Sequence, residues 1–437
     1  MDWQILVLII FSSLIVLMLT GMPVAFCFLM INIAGMWFLF SGDQGLQFLI
    51  RSFFRTLAFF PLLPIPLFTL MGELTFHSGI GSNVAETVDK WLGRLPGRLG
   101  LLAVGTGTIM ASLTGSSLAT VALLGDVLVP EMEKRGYKKP MSLGPILGSS
   151  GLAIMIPPSG MAILLAAIGR ISVGGILMAI IIPGLMMSVF YATYIILRCW
   201  LQPSIAPDYP VKKIPLSDKL KDAVRYILPL GLVVFGVIGV IFLGIATPSE
   251  AAATGVVATV IVALISGKMD WQITKKSILG TIKVTTMIGM IYMAAGAFSQ
   301  ILAKTQATAE IANFTMGLPV TPIVVIILSQ VIVLIMGCFM EIDSIMMITL
   351  PIFMPIVTAL GFNPVWYGAI FLLNDEMAVT TPPFGTSLFV MKGVAPKDTS
   401  IADIYKAAVP FLVLDVMVMS LMLTFPQLVL WLPSVAR

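Results

Sequence analysis

The chain has 437 residues, 58% of them hydrophobic and 11% charged, with a mean hydropathy of +1.05 and a formal net charge of +4. Soluble domains carry about 25% charged residues, so this composition excludes a water-soluble enzyme and calls for a lipid bilayer. The basic excess is spread over separate loops, which fits the positive-inside rule and excludes a nucleic-acid surface.

The opening residues lack the basic start and small-residue cleavage site of a signal peptide, so the first segment is expected to be a retained membrane helix. Spans are expected at 5–19 and 24–40, separated by the Thr20-Gly21-Met22-Pro23 break. Residues 44–60 carry Arg51 and Arg55 among aromatics and predict an amphipathic interfacial helix. A third span, 61–78, contains Gly72-Glu73 and His77. Residues 80–98 are polar. Two apolar arms, 99–113 and 118–129, flank Thr114-Gly115-Ser116-Ser117. Each arm is short for a crossing of about 20 residues, and both outer ends are basic, which predicts a re-entrant hairpin with cytoplasmic ends. Residues 141–169 could cross but are broken at Pro157-Pro158, and 174–200 cross again. The stretch from Gln202 to Arg225 has four prolines and four lysines and predicts a cytoplasmic linker.

The second half repeats the first. A shift of 225 residues lays Pro23, Pro130, Pro157 and Pro158 on Pro248, Pro355, Pro382 and Pro383, and Gly42, Gly136 and Gly160 on Gly267, Gly361 and Gly385. A duplicated unit explains the coincidences. Five crossings plus one hairpin per unit make the second unit inverted, a secondary-transporter design. The fold expected is therefore an all-α polytopic membrane protein of two inverted repeats, 1–200 and 226–437, joined by a linker at 201–225. Re-entrant hairpins are expected near 98–131 and 322–356, and broken helices near 141–170 and 365–391.

The breaks carry the chemistry. Paired prolines leave carbonyls without partners, and in hydrocarbon each costs several kcal/mol unless water, protein or a cation meets it. Carbonyls and hydroxyls suit a hard cation such as sodium. The N-terminal ends of half-helices suit a carboxylate. The candidates in the first unit are Gly115, Ser116, Ser117, Pro157 and Ser159; in the second they are Glu341, Asp343, Thr380 and Thr381. Asn374, Asp375 and Glu376 add a polar patch inside an apolar segment. Glu73 and His77, one helical turn apart, read first as a packed polar pair, and Arg170 as an interfacial cation able to meet an anionic solute. Neither a phosphate-binding G-x-x-x-x-G-K-[ST] loop nor a G-x-S-x-G nucleophile elbow occurs. Cys27, Cys199, Cys338 and the single His77 form no metal or disulfide pattern.

The blocks TGSSLATVALLGDVLVPEMEKRGY (114–137), IMIPPSG (154–160), IIPGLMM (181–187), GCFMEIDSIMMITLPIFMPI (337–356) and TTPPFGTSLFV (380–390) resemble the large membrane subunit of tripartite ATP-independent periplasmic (TRAP) transporters. The resemblance covers essentially the whole chain. It implies a sodium-driven, elevator-type importer of an organic acid in the bacterial inner membrane. The partners it implies are a periplasmic solute-binding protein and a small four-helix membrane subunit, expected here as a separate chain. No cofactor is implied beyond sodium as the coupling ion. It further implies sodium around Gly115, Ser116, Ser117 and Pro157, and around Gly337, Glu341, Asp343, Thr380 and Thr381. The anionic solute is assigned to Thr114, Ser117, Ser159, Asp343 and Asn374. A stand-alone carboxylate symporter, a sodium–proton antiporter, and an intramembrane hydrolase using Ser117 or the Glu341/Asp343 pair are the alternatives.

Overall fold

The computed structural model describes residues 3–40, 42–93, 95–114, 117–207, 214–317 and 319–436. Among them the chain is helical, without strands. The first half holds α1 (Trp3–Leu19), α2 (Val24–Leu39), α3 (Asp43–Leu57), α4 (Pro64–His77), α5 (Ile80–Leu92), α6 (Arg98–Thr114), α7 (Ser117–Lys134), α8 (Lys139–Met155), α9 (Gly160–Gly169), α10 (Val173–Ala179) and α11 (Ile181–Leu201). The second holds α12 (Leu216–Asp222), α13 (Leu228–Phe242), α14 (Pro248–Ile265), α15 (Trp271–Lys304), α16 (Ala307–Met316), α17 (Pro322–Gly337), α18 (Ile342–Ala359), α19 (Pro364–Thr380), α20 (Thr386–Val394), α21 (Ile401–Thr424) and α22 (Gln427–Val435).

The duplication is visible in the backbone. α7 and α18 begin and end 225 residues apart, and so do α8 and α19. The cis bonds Pro157-Pro158 and Pro382-Pro383 keep the same spacing, as do the left-handed glycines Gly42 and Gly267, and Gly136 and Gly361. Packing is reciprocal: α2 rests on α15 as α14 rests on α4, and α9 meets α18 as α20 meets α7. α8 packs on its own counterpart α19, and α4 packs on α15. Such mirrored pairing is the signature of a two-fold relation.

The halves differ where prolines differ. α3 and α4 meet at a 53° bend, and Pro61, Pro64 and Pro66 remove backbone donors there. The equivalent region of the second half has no proline and runs straight through as the 34-residue α15.

Several boundaries differ from the sequence expectation. Residues 80–98 contain helix α5, whose apolar face packs on α6. The arms of the two hairpins are longer than the apolar count indicated, at 16 to 18 residues. Helical geometry carries on through Glu131, Glu133 and Lys134, because a helix end in a polar layer needs no apolar side chains. The linker also turns helical at Leu216 and runs by way of a π turn into α13.

The two broken helices form the core. Every residue from Met141 to Met155 and from Trp366 to Thr380 is buried. A helix enclosed on all sides reads as uniformly apolar, which is why α8 and α19 show no amphipathic pattern. The outer helices instead expose large apolar side chains, such as Val16, Phe38, Phe235 and Ile265. Among the described residues, six stretches are long and apolar enough to cross a membrane, or up to eight with each bent pair taken as one span. The lipid-facing surface follows from that.

Candidate functional site

Four interruptions border one cavity of about 420 Å³. The first hairpin contributes Ser117 and Leu118 at the start of α7; the second contributes Gly337 at the end of α17, with Met340, Glu341, Ile342 and Asp343. The broken helices contribute Ile154, Pro158, Gly160 and Met161 on one side, and Ala378, Val379, Phe384 and Thr386 on the other. α4 closes the wall with Phe68, Thr69 and Glu73, and α15 with Val284, Met287 and Ile288.

The chain direction at these breaks matters. α7, α9, α18 and α20 all begin at the cavity, while α8, α17 and α19 end at or beside it. Starting ends offer unpaired N–H groups and a partial positive charge; finishing ends offer carbonyls and a partial negative charge. One cavity therefore presents both an anion-binding and a cation-binding lining. The breaks are held by local bonds. Ser159 caps α9, accepting from Ala162 N–H at 3.3 Å. The hydroxyls of Thr380 and Thr381 donate to the Met377 carbonyl at 3.1 and 2.6 Å, tying off the end of α19. The backbone at Gly337 lies so close to Ala378 that a side chain there would collide with it.

The expected site residues separate into groups. Ser117, Gly337, Glu341 and Asp343 line the cavity, and Asp343 is otherwise buried. Ser159, Thr380 and Thr381 stand at the breaks without lining it, and Pro157 faces an apolar crevice with Leu177 and Ile241. Asn374 lies away from the cavity lining, where its amide donates to the Gln330 carbonyl at 2.6 Å and side chain at 3.0 Å. Gly115, Ser116 and the side chain of Thr114 lie outside the described residues.

Glu73 was undervalued from sequence. It pairs with His77 at 3.1 Å, yet it also lines the cavity opposite the hairpin tips. The signal was an acid beside a glycine inside an apolar span; the opposing wall of α15 carried no sequence signal at all.

Behind the cavity α19 is unusually polar. Both Asp375 oxygens are buried and accept no hydrogen bond among the described groups. Glu376 points the other way, against the bare backbone of Gly151 on α8, its counterpart 225 residues earlier. Next to it the phenol of Tyr191 donates to Asp415.

Broken helices whose ends gather around one cavity, mostly apolar but holding Glu73, Glu341 and Asp343, inside a bundle of spanning helices follow the design of a secondary transporter. A family model described as "Tripartite ATP-independent periplasmic transporter, DctM component" matches residues 11–428. The chain belongs to that family: it is a multi-pass permease of the bacterial inner membrane, not an enzyme. It is 31% identical to the C4-dicarboxylate TRAP transporter large permease protein DctM of Pseudomonas aeruginosa, over 91% of each chain. It is 26% identical to the isethionate TRAP transporter permease protein DctMQ of Oleidesulfovibrio alaskensis, over 93% of this chain and 63% of that one. The YdaH transporter of Alcanivorax borkumensis, described as having an unusual topology, shares the fold with a TM-score of 0.67 at 14% identity, over 88% of this chain and 89% of that one.

Proposed function

We propose that the chain imports an organic acid by sodium-coupled, elevator-type alternating access. The observation that carries this reading is the convergence of four helix starts with Glu341 and Asp343 on one cavity. The helix starts receive the solute's carboxylate. The hard oxygens of Ser117, Glu341 and Asp343, with exposed carbonyls at the finishing ends, receive sodium. Sodium offsets the negative charge of solute and acids together, so neither fills the cavity well alone. That mutual dependence is coupling.

In this reading the second repeat is upside down relative to the first. Lys268, Lys275, Lys276 and Lys283 then join Lys134, Lys138 and Lys139 on the cytoplasmic side, as the positive-inside rule asks. The hairpins and broken helices, 98–170 and 322–394, travel as one body against α4 and α15. The partners are a small four-helix membrane subunit and a periplasmic binding protein that delivers the solute. The isethionate relative supports the first of these, since its name joins M and Q in one permease protein and this chain spans 63% of its length.

The test is uptake into proteoliposomes holding both membrane subunits, with a panel of organic acids presented on the binding protein. Uptake that requires an inward sodium gradient and the binding protein is expected. Equal uptake without sodium removes the coupling; equal uptake without the binding protein favours a stand-alone symporter.

A further inference from the structure

A second cavity, of about 880 Å³, shares two bordering helices with the first. α9 and α15 border both spaces: α9 through Gly160 and Met161 in the first and through Ala166 to Ile168 in the second, α15 through residues 284–288 and then 292–300. At 1.5 Å per helical residue, the centres are about 15 Å apart along α15. The two linings have opposite charge. Glu73, Glu341 and Asp343 face the first cavity, with no lysine or arginine. Arg55 and Arg170 face the second, with no carboxylate.

Among the described residues neither arginine makes an ion pair. They come from different elements, Arg55 from the last turn of α3 and Arg170 from the residue that ends α9. Arg170 holds a left-handed backbone, φ 53°, at a helix end where glycine is the comfortable residue. Its guanidinium is thus kept at a backbone cost. Beside it the Tyr292 hydroxyl is pinned to the Ala167 carbonyl at 3.3 Å, and the buried side-chain oxygen of Gln300 has no donor.

We propose that this second cavity is a receiving site for the solute's carboxylate, held between Arg55 and Arg170 at one end of the path that leads to the acid-lined cavity. The inference rests on the organic-acid reading above. Guanidinium grips carboxylate in a two-pronged geometry that lysine cannot copy. Two guanidinium groups lining one cavity bind a carboxylate without sodium, unlike the acid-lined cavity, where sodium must supply the positive charge. The anion thus meets positive charge first and sodium second.

The probe is radiolabelled succinate, measured by equilibrium dialysis on the permease with its small subunit in nanodiscs. Binding protein is left out and choline replaces sodium. Saturable binding is expected, weakening as ionic strength rises. Arg170→Gln and Arg55→Gln should each weaken it about tenfold, Arg170→Lys should recover part of the loss, and Arg51→Gln, one turn earlier on α3 and outside the cavity, should match the native protein. Size-exclusion profiles establish that each variant is folded.

Native-like binding by Arg170→Gln and Arg55→Gln overturns the proposal. So does an absence of sodium-free binding in a preparation that still takes up succinate with sodium and binding protein. Variants that bind succinate normally but need more binding protein for uptake would make the arginines a docking surface, which also overturns it. A native preparation that transports no organic acid at all takes down the proposed function itself.

Discussion

Gly184 offers a sharp test of how the first broken helix is held. It is buried in α11, packed against the end of α8, two residues before the cis Pro157-Pro158 bond. A Cβ on Gly184 would stand 2.5 Å from the Met155 carbonyl oxygen, 2.9 Å from Ile156 Cγ1 and 3.0 Å from the Met155 carbonyl carbon. Ordinary contact begins near 3.4 Å, so α11 and the α8 terminus must part by about 0.9 Å. Backbone atoms cannot turn aside as a side chain does. Gly184→Ala should therefore cost about 1–3 kcal/mol, the range for overpacked cores, and displace the break that borders the cavity. The matched control is Gly236→Ala on α13, where a Cβ meets nothing within 4 Å and helix propensity favours alanine. Thermal unfolding followed by fluorescence size exclusion, with sodium-driven uptake in proteoliposomes, reads both effects. Native melting and native uptake in Gly184→Ala would refute the idea that this contact sets the position of the break.

Asp343→Ala and Thr381→Val should abolish sodium-dependent uptake while membrane insertion is retained; normal uptake by both would remove these residues from the mechanism. Glu73→Gln should slow uptake and shift its sodium dependence, whereas an unchanged sodium curve would leave Glu73 a packing partner of His77 alone. Tyr191→Phe removes the phenol that donates to the buried Asp415. An unmet buried acceptor costs about 1–3 kcal/mol, so a lower melting temperature is expected, and an unchanged one would show that other donors replace the phenol. At the α8 start, Lys139 donates to Glu133, Asp398 and Thr399 at 2.8, 2.9 and 2.7 Å, joining the two halves. The bond from Lys139 holds the Asp398 carboxyl below its ordinary range. Its contribution is whole at neutral pH and is lost as pH falls through that lowered value. Lys139→Met should thus melt earlier than the native protein at pH 7, with the gap closing on acidification; a gap constant with pH would discount the charge.

The plan of the fold was legible because it rests on features that sequence displays directly: long apolar runs, paired prolines, and a fixed interval between them. Polar residues at the breaks were found for the same reason, since Ser117, Glu341 and Asp343 stand out against their neighbours. What sequence could not show was sidedness inside a buried helix. α19 is surrounded on all faces, so nothing in the pattern told that Asn374 turns to Gln330 and Glu376 to Gly151. Neither could it show that α15 lines two cavities, the first with Val284, Met287 and Ile288 and the second with Tyr292, Ala295, Gly296, Ser299 and Gln300. Helix α5 was missed because its polar face dominates a short segment, and its stabilising contacts come from elements distant in sequence as well as from α6, among them the Lys90–Asp222 pair.

The meeting of Gly151 with Glu376 limits how such a molecule can diverge. Where α8 crosses α19, the position at 151 touches its own duplicate at 376. Twin copies would face glycine with glycine, leaving a void, or glutamate with glutamate, setting two acids in one place. An ancestor assembled from interchangeable halves must have lacked this acid, and its arrival tied the two sites together. Exchange of the pair, with glutamate at 151 and glycine at 376, should be tolerated far better than glutamate at both.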